Sequence, residues 1–256
     1  GEASVHPKFH YFIKRAREMG YQKVQTITNG RIWSYKDFVV RSVRAGLDEV
    51  TFSMHGHTAK LHDKLVGVPG AFNQSIQGLK YCLQVPGLIV SVDIVMCRPN
   101  VFFLEEMVRF YSDMGVGEYD LLAMIPFGRG APNPIAEMQG QTRPQDAKMA
   151  RRLLLEGGEI AQVMPGTVRL AKERGLTLWT NRAKPQELES AEWLIQRPVK
   201  LYDEVYGAKR EFQGALSQKK GWLPCADRCD FCFLQQMCDG FRSHRDEHNA
   251  GHITHA

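Results

Sequence analysis

The segment Tyr35–Gly56, YKDFVVRSVRAGLDEVTFSMHG, contains a helical stretch followed directly by a strand pattern. Its first part, Tyr35–Ala45, ends at Gly46, a residue typical of the position just after a helix. Its second part, Glu49–Met54, is a short apolar and β-branched run that leads into the polar turn His55-Gly56. A helix that leads into a strand in this way is the repeating unit of α/β folds.

The same unit recurs along most of the chain. Single helices separate the strand patterns, and this order builds a parallel sheet with right-handed crossovers, either a β/α barrel or a doubly wound sheet. The strands are too few for a complete barrel. The further predicted strands are Lys23–Thr28, Leu88–Val95, Tyr119–Ile125 and Leu176–Thr180, and the further helical regions are Phe9–Met19, Ala71–Leu83, Phe102–Met114 and Arg143–Arg174.

The repeating pattern loosens after residue 180, which predicts two domains. Residues 1–180 form a partial barrel of parallel strands, and residues 181–256 form a small cysteine-rich extension. The net charge of +5 is spread along the chain without a basic block, so a nucleic-acid interface is not indicated. No apolar run reaches the ~18 residues of a membrane-spanning helix. The composition therefore favours a cytoplasmic protein, and in that compartment clustered cysteines favour metal binding over disulfides.

Four of the six cysteines lie within the run PCADRCDFCFLQQMCDGF near the end of the chain. Thiolates at these spacings can bind one metal centre, because a short turn brings the ligands together. Zinc and an iron–sulfur cluster both accept four cysteine ligands. The predicted ligands are Cys225, Cys229, Cys232 and Cys238.

Polar or glycine-containing turns follow the predicted strands. In parallel β/α folds the loops at the carboxyl ends of the strands form the active face. Each turn has a simpler explanation as well, since asparagine and glycine are common turn residues. The turns are Asn29-Gly30, His55-Gly56, Arg98-Pro99-Asn100 and Pro126-Phe127-Gly128.

An ordered series of fragments over about residues 1–125 resembles the core of the radical S-adenosylmethionine (SAM) superfamily, in the branch that includes peptide-modifying maturases. Gly1-Glu2 resembles the end of the family's GGEP motif. ITNG, Ile27–Gly30, resembles its strand-ending TNG, and AGLDEVTFSMHG, Ala45–Gly56, resembles its next strand. His62-Asp63, followed by Gly67, Gly70 and Phe72, resembles the family's HD…G.F segment.

The resemblance implies an enzyme in which a [4Fe–4S] cluster binds SAM and reductively cleaves it to a 5′-deoxyadenosyl radical that abstracts a substrate hydrogen. Gly1 and Glu2 would contact the SAM ammonium group, Ser53 the ribose or carboxylate, and Lys64 the carboxylate in place of the family's arginine. The resemblance also implies an electron donor such as ferredoxin or flavodoxin. No catalytic residue is singled out, and the substrate is unknown, with a peptide as one candidate.

The four clustered cysteines resemble the auxiliary-cluster segment of SPASM or twitch extensions. In the family, the CxxxCxxC that holds the SAM-binding cluster precedes GGEP, so we expect the chain to be a fragment without that segment and inactive alone. Two alternatives stand beside this: a permuted enzyme that uses Cys225, Cys229 and Cys232 for SAM, and a degenerate barrel. The rival function is a non-catalytic binding scaffold with a structural zinc or iron–sulfur site.

A few further side chains receive predictions. His55 and His57, close to Ser53, either face the cavity or hold the loop in shape. Cys82 and Cys97 are expected to be ordinary buried thiols. Four phenylalanines on predicted helices are expected in the core: Phe12, Phe38, Phe72 and Phe110.

Overall fold

The computed structural model describes residues 1–124, 152–155 and 158–181, apart from the side chain of residue 181. The predicted cysteine-rich extension, with all four of its metal ligands, lies outside these residues. So does the turn Pro126-Phe127-Gly128. In the described parts of the chain, no helix is long and apolar enough to cross a membrane.

Five parallel strands form one sheet, and their spatial order is the same as their order in sequence. Each strand pairs with the one that follows it, as in a barrel, whereas a doubly wound sheet reverses direction partway. The prediction of an α/β fold with a partial (β/α) barrel of parallel strands is confirmed. The strands are β1 (Gln25–Thr28), β2 (Glu49–Ser53), β3 (Ile89–Met96), β4 (Glu118–Ala123) and β5 (Thr177–Asn181).

Helices connect the strands, and most lie where the sequence predicts them. The exception is a short helix before Ala71 that was not predicted; it begins after the N-cap Thr58, whose side chain accepts a hydrogen bond from the Leu61 amide, and ends at Gly67. The helices are α1 (Phe9–Glu18), α2 (Lys36–Arg44), α3 (Ala59–Val66), α4 (Ala71–Leu83), α5 (Leu104–Asp113) and α6 (Glu159–Arg174), with short 3₁₀ turns at Ala3–Val5, Ile32–Ser34 and Val101–Phe103.

The two faces of the sheet differ in chemistry. Alternate residues such as Val50, Phe52, Val92 and Leu121 are fully buried, and they form the apolar face against which the helices pack. Sequential strand order with right-handed crossovers places the connecting helices on one side of a sheet, and the opposite side becomes the interior of a barrel. That inner face is largely polar. It includes Gln25, Glu49, Thr51, Ser53, Ser91, Asp93, Glu118 and Asp120.

An aromatic cluster anchors the first two helices to the sheet. Trp33 is fully buried, and its ring meets those of Phe9, Phe38 and Phe52 at centroid distances of 5.2 to 6.4 Å. Helix α4 approaches Trp33 closely at Gly78, where a Cβ atom would lie 2.7 Å from the Trp33 Cβ and 2.9 Å from the Gly30 carbonyl oxygen. The early part of the fold is therefore tightly packed around one side chain.

The predictions for individual core residues are mostly confirmed. Cys82 and Cys97 are buried, and burial raises the pKa of the Cys82 thiol to about 12 and that of Cys97 to about 11. Phe38 and Phe72 are buried as well, whereas Phe110 is only half-buried. The prediction for Phe12 was wrong, since its side chain is 53% exposed.

The position of Phe12 follows from the geometry of α1. Phe9 and Ile13, four residues apart, form the buried stripe of this helix. Phe12 lies beside that stripe and packs on the His6 ring at a centroid distance of 5.2 Å. Together with Phe9 and Ile13 it lines a groove of about 380 Å³ between α1 and residues 24–26.

Candidate functional site

The carboxyl ends of β1, β2 and β3 meet at one edge of the sheet, which we call the carboxyl edge. Thr28, the last residue of β1, pairs with Phe52, and the next residue, Ser53, pairs with Asp93 of β3. Glu2 joins this edge through its side chain, although it lies far from these strands in sequence. The structure thus brings Glu2 and Ser53, two of the predicted SAM contacts, to neighbouring strand ends.

The Glu2 carboxylate connects the start of the chain to the end of β1. Its Oε1 accepts hydrogen bonds from the Thr28 hydroxyl at 2.9 Å and from the Ser4 amide at 3.2 Å, and it also accepts from the Ser4 hydroxyl. Its Oε2 accepts from the Asn29 amide at 2.6 Å. The side chain is half-buried, so the carboxylate keeps a path to solvent. We call this arrangement the Glu2 clasp.

A separate row of polar side chains begins at Ser53 and runs across the inner face. Ser53 pairs with Asp93, Asp93 with Asp120, and Asp120 with Trp179, so these four side chains lie side by side on successive strands. Asp93 is 7% exposed. Sequence reasoning missed both aspartates as candidates. The available signal was a single acidic residue in the otherwise apolar and hydroxylic run Leu88–Val95.

The other two predicted SAM contacts take different places. Gly1 is exposed and lies next to the clasp residue in the chain. Lys64 is exposed in the last turn of α3, the helix that follows the loop after β2. Its contact with SAM stays a prediction.

The loop after β2 is held by backbone and side-chain hydrogen bonds that involve both His55 and His62. Nδ1 of His55 accepts from the Val95 amide at 3.4 Å, and the His55 amide donates to Nδ1 of His62 at 3.2 Å. The Asn100 amide group donates to the His55 carbonyl at 3.1 Å. These contacts favour the structural role for His55. Because burial disfavours the charged ring, and His62 adds to this effect, the pKa of His55 falls to about 4.

The next two loop residues complete this structure. The Tyr111 hydroxyl donates to the Gly56 carbonyl at 2.6 Å, and a Cβ at Gly56 would lie 2.7 Å from the His62 amide nitrogen, so only glycine fits there. The His57 ring packs near Phe103 and Phe110, at centroid distances of 5.8 and 6.5 Å. Its Nδ1 is buried without a hydrogen-bond partner within the described structure.

The HD…G.F segment has a structural explanation. The Asp63 carboxylate accepts from the amides of Gly70 at 2.6 Å and Phe72 at 2.8 Å, which are free donors at the start of α4. These two hydrogen bonds lower the pKa of Asp63, and the bond from the Phe72 amide has the larger effect. Gly67 and Gly70 both have left-handed backbone conformations, with φ of 71° and 82°. The segment therefore joins α3 to α4 and, through His62, ties both to the loop after β2.

The side chains of the carboxyl edge can also be compared with the ligand sets of metal sites. Among the residues that the structure describes, no group of three or more histidine, cysteine, aspartate or glutamate side chains could hold a metal ion. A carboxylate beside a hydroxyl, as at Glu2 and Ser53, suits instead the amino and hydroxyl groups of an organic ligand. The hydrogen-bonding groups of the carboxyl edge are therefore compatible with SAM.

No family model matches the chain. Over 131 residues it is 26% identical to the AdoMet-dependent heme synthase of Oleidesulfovibrio alaskensis, an alignment that covers 51% of this chain and 33% of that protein. Over 130 residues it is 28% identical to the probable GTP 3′,8-cyclases of Saccharolobus islandicus and Saccharolobus solfataricus, covering 51% of this chain and 41% of each of theirs.

These relatives are radical SAM enzymes, and the similarity supports the same superfamily for this chain. The matched region spans well under half the length of each relative. The similarity thus bears on the superfamily, while the activity of the whole protein is a matter for proposal.

Proposed function

We propose that this chain is part of a radical SAM enzyme of the iron–sulfur oxidoreductase or maturase type, which reductively cleaves SAM and abstracts hydrogen from its substrate. The observation that carries the proposal is the Glu2 clasp, which fixes a carboxylate at the end of β1 beside the strand that ends in Ser53. The sequential parallel sheet and the similarity to radical SAM relatives support it.

In this proposal the carboxyl edge binds the amino-acid and ribose portions of SAM. The Glu2 carboxylate, with the backbone of Gly1, holds the ammonium group. Ser53 donates or accepts a hydrogen bond at the ribose or carboxylate, and Lys64 offers a point charge to the carboxylate. A [4Fe–4S] cluster bound to SAM supplies the electron that cleaves it. The residues of this chain orient SAM and limit the access of water to the barrel interior.

The inner face supports a polar substrate. The row of four side chains that begins at Ser53 and ends at Trp179 carries hydroxyl, carboxylate and indole groups. These groups suit a ligand with hydrogen-bond donors better than a lipid chain. A peptide is one candidate with such donors. Ferredoxin or flavodoxin, in the cytoplasm, is the proposed electron donor.

We also propose that Cys225, Cys229, Cys232 and Cys238 bind an auxiliary iron–sulfur cluster. The alternative is a structural zinc ion, which accepts the same four thiolates. Metal and sulfide analysis of protein purified without oxygen distinguishes the two. Iron and sulfide that are lost in a Cys232→Ser variant support the cluster, and stoichiometric zinc without sulfide contradicts it.

Formation of 5′-deoxyadenosine tests the main proposal. The longest natural polypeptide that contains these residues is reconstituted with iron and sulfide, reduced, and given SAM. We expect 5′-deoxyadenosine to accumulate, and we expect Ser53→Ala to raise the KM for SAM about tenfold, since a hydrogen bond to the ligand is lost.

Ser112→Ala is the matched control, because Ser112 lies in the last turn of α5, which leads to the amino end of β4. This variant should keep the KM of the wild type. Absence of 5′-deoxyadenosine from protein with an intact cluster would contradict the proposal and favour a non-catalytic scaffold.

A further inference from the structure

Thr28 is the strand residue that holds the Glu2 carboxylate. It is 2% exposed at the end of β1, and its hydroxyl donates to Oε1 of Glu2 at 2.9 Å. The same hydroxyl accepts from the Gly30 amide at 3.1 Å. A hydroxyl has one proton to donate, and a carboxylate oxygen can only accept. The two contacts therefore fix the direction of the hydroxyl, whose proton points at Glu2.

The turn after Thr28 is rigid, so the hydroxyl keeps this position. Gly30 has φ of 79°, a conformation that favours glycine, and a Cβ there would lie 2.7 Å from the ring of Phe52. The Asn29 carbonyl accepts from the Ser75 hydroxyl of α4 at 2.7 Å, which ties the turn to the helix behind it. Neither Thr28 nor its turn can shift without disturbing the packing of β2 and α4.

The donors divide unequally between the two carboxylate oxygens of Glu2. Oε1 accepts from Ser4 twice and from Thr28 once, whereas Oε2 accepts from the Asn29 amide alone within the described residues. A carboxylate has about four acceptor positions, two on each oxygen. Oε1 is thus saturated by the protein, and Oε2 keeps capacity for one more donor.

From this geometry we infer that Thr28 is a positioning residue, which holds Oε1 so that Oε2 of Glu2 accepts the ammonium group of the amino-acid portion of SAM. The inference rests on the proposed function and adds to it the residue that directs the carboxylate. Without the Thr28 hydroxyl, Oε1 loses its one side-chain contact from the sheet. The carboxylate then rotates more freely, and its contact with an ammonium group weakens.

The experiment compares two probes that differ only in that group. One is S-adenosylhomocysteine, and the other is its analogue in which hydrogen replaces the amino group. Their dissociation constants are measured by competition with SAM on the reconstituted protein. The dissociation constant of the deaminated analogue, divided by that of S-adenosylhomocysteine, reports the ammonium contact. A general loss of folding or of adenosine binding leaves this ratio unchanged.

We expect Thr28→Val to reduce this ratio about tenfold, because a hydrogen bond to a charged group is removed while the side-chain shape is kept. Thr28→Ser retains the hydroxyl and should stay within about twofold of the wild type. Thr26→Val is the matched control, since Thr26 is buried on the same face of the same strand. If Thr28→Val does not fold, Thr28→Ala gives the same measurement.

The outcomes separate the inference from the proposed function. Wild-type protein that binds neither SAM nor S-adenosylhomocysteine contradicts the proposed function, and the inference fails with it. Wild-type binding with a ratio that Thr28→Val and Thr28→Ala leave unchanged overturns the inference alone. The same holds if these variants weaken both probes equally, because that result indicates a merely structural role.

Discussion

Protonation of His55 couples the loop after β2 to pH. Its Nδ1 accepts from the Val95 amide, and burial lowers its pKa from the ordinary 6.5 to about 4. The unfolded chain binds the proton at a higher pH than the folded chain does. The contribution of His55 to the free energy of unfolding is therefore fully present above pH 6.5 and decreases as the pH falls toward 4.

We expect the free energy of urea unfolding at pH 4.5 to be lower than that at pH 7.5 by about 2–3 kcal/mol because of this residue. His55→Asn should flatten that part of the pH dependence, because the Asn amide oxygen accepts from Val95 without titrating. His6→Asn is the control, as His6 is exposed. Equal slopes for the wild type and His55→Asn would show that His55 titrates normally in the folded protein.

Single residues of the site differ in how far the sequence can predict them. Glu2 and Ser53 follow from short motifs, and both lie at the carboxyl edge. Asp93 and Asp120 do not, because their neighbours are set by strand register, which places residues far apart in sequence side by side. Thr28 lies in the ITNG motif, but its hydrogen bond to Glu2 does not follow from that motif. Phe12 shows a similar limit, since its exposure depends on which stripe of α1 faces the sheet.

At the scale of elements, the contact between α4 and the turn at Ile32–Ser34 depends on Gly78. A Cβ there would lie 2.7 Å from the Trp33 Cβ and 2.9 Å from the Gly30 carbonyl oxygen, and backbone atoms cannot give way cheaply. We expect Gly78→Ala to lower the free energy of unfolding by about 1–3 kcal/mol, despite the better helix propensity of alanine.

Gly117→Ala provides the same substitution where a Cβ would meet nothing within 4 Å. Chemical denaturation should place this variant within about 1 kcal/mol of the wild type. If both variants were equally stable, α4 would lie farther from Trp33 in solution than it does in this structure, and the prediction would be wrong.

The Asp63 carboxylate and the Gly70 and Phe72 amides that donate to it, which we call the Asp63 clamp, form a second contact between elements and join α3 to α4. Asparagine keeps one acceptor oxygen, so in Asp63→Asn the amides of Gly70 and Phe72 compete for it. We expect faster hydrogen exchange at Phe72 and at the start of α4, measured by mass spectrometry. Asp37→Asn on α2 should not change these amides, and unchanged exchange in Asp63→Asn would mean that the clamp does not hold α4.

Element boundaries were predicted well where capping signals are strong. The prediction for α4 matches the structure at both ends, Ala71 and Leu83. Helix α3 was missed because its eight residues are too few for a clear apolar period, although Thr58 and Gly67 carry the capping signals. The predicted ends of the strands differ from the observed ends by one or two residues, because turn residues extend the apolar runs.

For the molecule as a whole, β1 is an outer strand of the described sheet. Ile27 on this strand is 56% exposed, and the apolar groove between α1 and residues 24–26 lies beside it. Exposed apolar edge strands promote pairing with other chains. We expect the 256-residue polypeptide to self-associate in a concentration-dependent way, measured by light scattering.

Ile27→Lys should reduce this association, because a charge on an edge strand opposes pairing. Tyr35→Lys changes another exposed apolar side chain, at 69% exposure before α2, and should have little effect. An equal reduction in both variants would point to general surface hydrophobicity instead of the β1 edge.

The order of the strands also has a consequence for synthesis of the protein. Each strand pairs with the one made just before it, so the sheet can grow one strand at a time as the chain leaves the ribosome. Glu2, Thr28 and Asn29 all precede β2 in the sequence, and the clasp needs only β1 and its turn. The Glu2 clasp can thus form while the later strands of the described sheet are still being translated.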